Sequence, residues 1–332
     1  MNRRDIIAAA AALAACSPDA RSQAASPASF PMRRGVNLGN ALEAPSEGEW
    51  GYRIEAQHLS AVAGAGFDGV RMPVRWDVHM DAAGRIAASH MARVAEVVGW
   101  AIEHELKVQL DVHHYAALIE HPARETARFL RLWRQIAERF ADASAGLMFE
   151  PLNEPHGSQW NGARLTDLQA EILGIIRESN PTRLVVFGPA NWQNIDALER
   201  WRPPSGENIA VSVHYYEPHD FTHQDAEWLG DEAPSFGRAW GKAEDVAQMR
   251  DHIQQAAIWG AWRGYSMQLG EFGVNRAVTT AQRAMWTRAV REACEASKLA
   301  WCVWDFAGAF PIWDRERHGW IEEIRTALVD EN

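Results

Sequence analysis

The chain has 332 residues, and 33 Lys and Arg against 44 Asp and Glu give a net charge of −11. Apolar residues make up 47% and charged residues 23%, which excludes disordered, collagen-like and coiled-coil classes and allows a large core. With no basic surplus to neutralise phosphates, nucleic acid is not an expected partner. Three cysteines are too few for a disulfide framework. The 16 tryptophans require either a large core or a surface that stacks on flat ligands.

The first 15 residues predict an export signal. Arg3 and Arg4 precede an apolar run over residues 6–15 that is too short to span a bilayer. Leu13-Ala-Ala-Cys16 resembles a bacterial lipobox, and the arginine pair resembles a twin-arginine signal; an Ala-rich N-terminal helix is the alternative. Residues 16–32 predict a flexible tether. We therefore expect an exported protein of the periplasm or cell surface, attached to the membrane only through a lipid on Cys16.

Beyond residue 32, short apolar runs alternate with longer amphipathic segments. Eight runs predict strands buried on both faces, as in a parallel sheet: Gly35–Leu38, Gly69–Pro73, Val108–Val112, Leu147–Leu152, Leu184–Gly188, Ala210–His214, Met267–Gly270 and Ala300–Trp304. Four segments with one apolar stripe predict helices: Met91–Glu105, Arg128–Phe140, Leu165–Ser179 and Ala281–Ala296. The interval between the sixth and seventh strands is the longest and must hold a helix and a long insertion.

Eight successive strand–helix units predict a single-domain (β/α)8 (TIM) barrel over residues 33–328. A doubly wound open sheet is the alternative, and the segment Gly64-Ala-Gly-Phe-Asp-Gly69 matches the glycine pattern of dinucleotide-binding folds. That pattern requires a strand before it and a helix after it, whereas this segment follows a predicted helix and precedes a strand. We therefore interpret it as a helix end followed by a turn.

Polar side chains follow each predicted strand, which is where a (β/α)8 barrel carries its catalytic groups. Two of them are carboxylates on opposite sides of the predicted barrel mouth: Glu154 follows the fourth strand and Glu271 follows the seventh. Cleavage of a glycosidic bond requires such a pair, one carboxyl as proton donor and the other as nucleophile. A positive charge such as Arg71 beside one carboxylate would keep it ionised, whereas the acid needs a raised pKa.

The segment Asn153-Glu-Pro155 is similar to glycoside hydrolase family 5, the retaining cellulases with a (β/α)8 barrel. Further segments resemble the family in the same order: Gly35–Glu43, Val70–Trp76, Asp111–Tyr115, His214–Tyr216, Phe221–Gln224 with Trp228, Gly270–Gly273 and Trp304. The resemblance covers residues 33–325. It is strongest for the branch that includes endoglucanases also active on β-mannans.

This resemblance implies catalytic roles without a cofactor or a metal. Glu154 would be the acid/base and Glu271 the nucleophile. The others would assist them: Asn153 would donate to the sugar 2-hydroxyl, Arg71 and Tyr216 would hold the nucleophile, and His214 would orient the acid/base.

The resemblance also implies sugar-binding residues. Asn40 and Glu43 would bind hydroxyls of a distal sugar, and His113 and His114 would line the subsites before the cleaved bond. Stacking surfaces and walls would come from tryptophans and from the long insertion: Trp304 as the floor, His223 and Trp228 as one wall, and Trp192 as a further stacking surface.

The sequence thus predicts a monomeric, retaining, endo-acting β-1,4-glycanase whose partner is a β-linked polysaccharide or oligosaccharide. A non-catalytic β-glucan-binding lipoprotein is the alternative. A metal-dependent barrel hydrolase is disfavoured because no His-x-His occurs, and a serine hydrolase because no Gly-x-Ser-x-Gly occurs. Among the tryptophans, Trp133, Trp259 and Trp286 fall on helical stripes and are predicted core residues. The preference for glucan or mannan, and endo against exo action, stay open.

Overall fold

The computed structural model describes residues 29–160 and 163–329. The predicted signal peptide and Cys16 lie outside these ranges. No helix within them is both long enough and apolar enough to cross a membrane.

Eight parallel strands form a closed barrel in chain order. They are β1 Arg34–Asn37, β2 Gly69–Met72, β3 Lys107–Asp111, β4 Leu147–Glu150, β5 Val185–Phe187, β6 Ile209–His214, β7 Ser266–Glu271 and β8 Ala300–Val303. The first strand pairs with both its neighbours, Val36 lying opposite Val70 on β2 and Val303 on β8. This closure confirms the predicted (β/α)8 barrel and excludes the open sheet.

The helices surround the barrel. They are α1 Ala56–Gly64, α2 Ala88–Glu103, α3 Ala116–Glu120, α4 Pro122–Arg139, α5 Ala163–Ser179, α6 His219–Thr222, α7 Ala243–Arg263, α8 Thr280–Ala296 and α9 Glu322–Leu328. The four predicted helices are confirmed with shifted ends; α4 begins earlier because Pro122 suits a first helical turn. After β8 the chain forms a small hairpin of β9 (Trp313–Asp314) and β10 (Gly319–Trp320).

Two connections depart from a simple strand–helix repeat. The long one between β6 and β7 holds α6, a short 3₁₀-helix at Glu227–Glu232 and α7, as predicted. The one between β5 and β6 holds only a five-residue 3₁₀-helix, Ile195–Glu199. The glycine-rich segment is the predicted helix end and turn, since α1 ends at Gly64 and Gly66 has a φ of +93°.

Two residues assigned to the tether are part of the core. Phe30 and Met32 are buried against inward-facing side chains at the N-terminal end of the barrel. A Cβ at Gly69 would lie 2.5 Å from the Met32 sulfur, so the glycine leaves room for the Met32 side chain. The prediction that the tether extends to residue 32 is therefore wrong for its last residues, because Phe30 and Met32 are buried at the N-terminal end of the barrel.

Two of the three tryptophans that were predicted for the core lie there. Trp133 and Trp286 are fully buried, and so are Cys294 and Cys302, which are unpaired thiols. Trp259 is only half-buried, which corrects its assignment to the core.

Candidate active site

A buried arginine organises the C-terminal end of the barrel. Arg71, which points inward from β2, is fully buried and contacts carboxylates on three other strands. Its Nε donates to Glu150 at 2.6 Å, its Nη2 lies 2.8 Å from Asp111, and its Nη1 donates to Glu271 at 2.6 Å. Nearby anions raise the pKa of Arg71 well above its usual value despite the opposing effect of burial. A permanent positive charge therefore lies beneath the cleft.

Glu271 ends β7 with its carboxylate held on both oxygens. One oxygen accepts from Arg71, and the other accepts from the Tyr216 hydroxyl at 2.9 Å. Burial raises the pKa of Glu271 to about 7, while His214, Arg71 and the Tyr216 hydroxyl act in the opposite direction. Hydrogen bonds donated to a carboxylate stabilise its charged form. The geometry therefore favours the ionised state that a nucleophile needs.

Glu154 lies just beyond β4 and is more accessible, with 26% of its side chain exposed. Its Oε1 lies 2.8 Å from Nδ1 of His214, and burial raises the pKa of Glu154 to about 7. The backbone of Glu154 has a φ of +45°, a left-handed conformation that is uncommon outside glycine. Its N–H donates to the side-chain oxygen of Gln193 at 2.8 Å, which supports this turn.

The two carboxyl groups face each other across one crevice. A carboxylate oxygen of Glu154 and one of Glu271 lie within 4.8 Å of each other, with Nδ1 or Nε2 of His214 equally near. This separation matches retaining glycosidases, whose carboxyl groups are roughly 5–5.5 Å apart, and is shorter than the roughly 6.5–9.5 Å of inverting enzymes. At this distance the pair titrates as a unit, and the hydrogen bonds that Arg71 and Tyr216 donate to Glu271 favour the state in which Glu154 carries the proton.

Asn153 and His113 lie next to these carboxyl groups. The side-chain oxygen of Asn153 accepts from Arg71 at 2.8 Å, so its amide N–H₂ is turned away from the arginine. His113 is buried with its Nδ1 3.0 Å from Asp111, and its ring stacks in parallel on Trp304 at 5.3 Å. Trp304 is half-buried and offers a flat surface next to His113.

The insertion after β6 adds an aromatic wall on the side of Glu271. The ring of His223 lies 5.1 Å from Tyr216 and 6.1 Å from Trp228. Trp228 is exposed and packs at 5.7 Å from Phe310, a buried residue that the sequence reading did not single out. The structure therefore places His223 and Trp228 next to Tyr216, which holds Glu271, and their contact with a sugar stays a prediction.

Asn40 and Glu43 lie in the loop after β1 and differ in burial. Asn40 is half-buried and donates through its amide to Asp305 at 2.7 Å. Glu43 is buried, and its carboxylate accepts from the backbone N–H groups of Asn40 and Ala41. The prediction that Glu43 binds a sugar hydroxyl does not fit this placement, since both of its oxygens cap the loop beneath Asn40.

Two further aromatic pairs flank the carboxyl groups. His114 is exposed and lies edge-on to Trp50 at 6.0 Å, so Trp50 joins the side of the cleft that His114 occupies. Trp192 is 51% exposed and stacks in parallel on His156 at 4.7 Å, while His156 in turn contacts the carbonyl oxygen of Glu154 at 2.7 Å. Apart from Glu43, the predicted residues thus lie around the carboxyl pair, and their roles toward a sugar stay predictions.

The sequence reading missed two residues that hold the centre together. Glu150 points into the barrel from β4 and pairs with Arg71; its inward position two residues after buried Met148 was a usable signal, because a buried charge needs a partner. Gln193 is buried, and its side chain lies against Gly188, where a Cβ would come within 2.4 Å of it. Nothing in the local sequence indicated that Gln193 turns inward.

Within the described residues, one group of side chains has the donor atoms and spacing to hold a metal ion: Glu154, His214 and Glu271. Two of them, Glu154 and Glu271, are the carboxyl groups that the sequence analysis predicts for glycosidic cleavage. The Arg71 guanidinium at 2.6 Å from Glu271 opposes the entry of a second cation. The arrangement is therefore suited to proton transfer and nucleophilic attack.

Comparisons with known proteins agree with this geometry. Residues 32–309 match the model of the cellulase family, glycosyl hydrolase family 5. Endoglucanase H of Acetivibrio thermocellus is 32% identical over 308 residues, covering 90% of this chain but 33% of that protein. Endoglucanase A of Ruminococcus albus is 29% identical, covering 91% of this chain and 90% of that protein.

Solved structures extend the likeness to the fold. Structures of Thermotoga maritima Cel5A in complex with cellobiose and with mannotriose superpose with a TM-score of 0.87 at 35% identity. They cover 90% of this chain and 98% of the solved chain.

Proposed function

The chain belongs to the cellulase family, glycosyl hydrolase family 5, and from this premise we propose that it is a retaining endo-β-1,4-glucanase. The single observation that carries the proposal is the carboxyl pair, with oxygens of Glu154 and Glu271 within 4.8 Å. Endoglucanases A and H, which cover nine tenths of this chain, support the choice of glucan.

In the first step of this mechanism, Glu271 attacks the anomeric carbon of the sugar. Glu154 gives its proton to the glycosidic oxygen, so the leaving chain departs as a neutral alcohol. Arg71 and Tyr216 keep the attacking carboxylate ionised and aimed. The amide nitrogen of Asn153, which lies 3.5 Å from Nε2 of His113, would donate to the 2-hydroxyl, a contact that strengthens as positive charge develops on the ring. The product is a glycosyl ester of Glu271.

In the second step, water cleaves this ester. Glu154 is now ionised and accepts a proton from the water that attacks the same anomeric carbon, which restores the original configuration. Its greater exposure compared with Glu271 allows that water to approach. Both carboxyl groups then return to their starting protonation states, and no external reactant besides water is consumed.

A β-1,4-mannan is a second candidate substrate. The observation that favours it is the likeness to Cel5A, for which complexes with both cellobiose and mannotriose are known. Glucose and mannose differ at the 2-hydroxyl, and one such contact changes specificity by only a few kcal/mol. We propose glucan as the main substrate and glucomannan or mannan as a further one.

The test is hydrolysis of carboxymethylcellulose, glucomannan and mannan. We expect release of reducing sugar with a rapid fall in viscosity, and NMR at early times should find the β-anomer of the product. An α-anomer would contradict the retaining mechanism. Binding to these polymers without release of sugar would instead favour the non-catalytic glucan-binding protein.

We also propose that the protein is exported and anchored through a lipid on Cys16. The proposal is supported only by the lipobox-like segment Leu13–Cys16 and the preceding basic and apolar residues. In a bacterial host, the full chain should partition into the detergent phase, and Cys16→Ala should move it to the aqueous phase. Equal partitioning of both forms would contradict lipidation.

A further inference from the structure

The barrel wall has a gap between α5 and α7. The other seven strands are each followed by an α-helix, whereas β5 is followed only by the 3₁₀-helix Ile195–Glu199. A groove of about 740 Å³ opens at this gap. Trp201 and Trp259 stand side by side in it, with ring centroids 6.1 Å apart and planes inclined by 18°. The short connection therefore leaves no α-helix over this part of the barrel, and the groove is lined by the half-buried Trp259 beside Trp201, which is only 5% exposed.

Large apolar side chains of α7 form the outer part of this groove. Trp262 is 76% exposed and Ile258 is 59% exposed, the former among the most exposed large apolar side chains in the described chain. The guanidinium of Arg263 lies 4.5 Å from the ring of Trp262 and helps to hold it. The buried indole N–H of Trp259 finds no acceptor among the described residues. Exposed aromatic surface of this kind is typical of a binding site.

The rim of the groove is polar and carries little net charge. Asn191, Asp196, Glu199, Arg200 and Gln255 line it. Two carboxylates and one guanidinium do not suit a polyanion, and the net charge of −11 disfavours an anionic membrane surface. Flat indoles beside amide and carboxylate groups suit a neutral sugar chain, since pyranose rings offer apolar C–H faces and a rim of hydroxyl groups.

Two consecutive residues connect the groove with the catalytic cleft. Asn191 lines the groove, and Trp192 stacks on His156, whose Nδ1 contacts the carbonyl oxygen of Glu154. A polymer that extends from the cleft over Trp192 would therefore pass close to Asn191 at the edge of the groove. We propose that this groove is a second binding site for the β-linked polysaccharide, which holds the chain outside the subsites around the cleaved bond. This inference rests on the proposed function of the cleft.

The experiment compares Trp262→Ala with Met285→Ala, which removes an exposed apolar side chain from α8 outside both the groove and the cleft. Each change is also made together with Glu271→Gln, and binding to hydroxyethylcellulose and glucomannan is measured by affinity electrophoresis. We expect Trp262→Ala to weaken polymer binding about five- to tenfold, because stacking on one indole is lost, and Met285→Ala to leave it unchanged. Hydrolysis of a short aryl cello-oligosaccharide should stay within about twofold for both, whereas KM for polymer should rise only for Trp262→Ala.

Several results would overturn the inference. Polymer binding that is unchanged by Trp262→Ala, or reduced equally by Met285→Ala, would contradict it. So would a wild-type dimer in sedimentation analysis that Trp262→Ala dissociates, because a second copy would then occupy the groove. Failure of the proposed function has a different signature: the wild-type protein would release no sugar from any substrate, while the binding comparison would still report on the groove.

Discussion

Glu271 and Glu154 are the same residue type at the same end of the barrel, but their surroundings differ. Glu271 is nearly buried and receives hydrogen bonds from Arg71 and Tyr216. Glu154 is partly exposed, contacts His214, and lies on a left-handed turn held by Gln193. The two carboxyl groups thus differ through their surroundings rather than their residue type: the one nearer the fixed cation is better stabilised as an anion, which is what the proposed roles require.

The largest loss of activity should come from replacing Glu271, the carboxylate that Arg71 and Tyr216 stabilise. Glu271→Gln keeps the size of the side chain but cannot form the glycosyl ester, so polymer hydrolysis should fall by at least about 10⁴-fold. Reducing-sugar release measures this loss, and unchanged binding in affinity gels controls for folding. A variant with near wild-type rates would contradict the assignment of the nucleophile.

Replacing Glu154 should lower the hydrolysis rate to a different extent for substrates with poor and with good leaving groups. Glu154→Gln cannot protonate the glycosidic oxygen, so hydrolysis of polymer should fall about 10²- to 10⁴-fold. Formation of the glycosyl ester from a dinitrophenyl glycoside should be largely spared, because that leaving group departs without a proton. Pre-steady-state release of dinitrophenol checks this difference. Equal losses on both substrates would argue against Glu154 as the acid.

A smaller loss of activity should follow when the turn that carries Glu154 loses its hydrogen bond to Gln193. Gln193→Leu retains the bulk near Gly188 but removes the oxygen that accepts from the Glu154 N–H. An unpaired buried donor costs about 1–3 kcal/mol, so kcat on polymer should fall about tenfold with little change in KM. Gln193→Asn, which keeps an amide acceptor and adds no charge next to Glu150, which the Gln193 amide contacts at 3.3 Å, is the matched control. A loss of activity that is equal for aryl glycosides and polymer would indicate a general structural defect instead.

The smallest effect concerns the pH dependence of the pair. Activity requires an ionised Glu271 and a protonated Glu154, so kcat/KM should be bell-shaped. Tyr216→Phe removes a hydrogen bond that lowers the pKa of Glu271, so that pKa should rise. Because the carboxylate then needs a higher pH to ionise, the acidic limb should move to higher pH while the basic limb stays. A shift of the acidic limb to lower pH would contradict this sign.

Much of the fold could be predicted because its signals are local. The eight apolar runs and four helical stripes lie within a few residues of the observed elements, since burial on both faces of a parallel strand leaves a pattern within four to six residues. The end of the tether could not be predicted in this way. Phe30 and Met32 are separated by a proline, and only a closed barrel provides the interior that buries them.

The site likewise combines features that the sequence predicts with features that depend on the folded chain. That Glu154 and Glu271 follow the fourth and seventh strands could be predicted, because the order of the apolar runs and the residues after each run can be read along the chain. Which polar side chains face the cleft depends on the folded barrel. Glu43 turns to backbone N–H groups, whereas Gln193 turns inward after a run of left-handed residues, Asn191 to Gln193. Such directions depend on loop conformation and on partners distant in sequence, which no local pattern encodes.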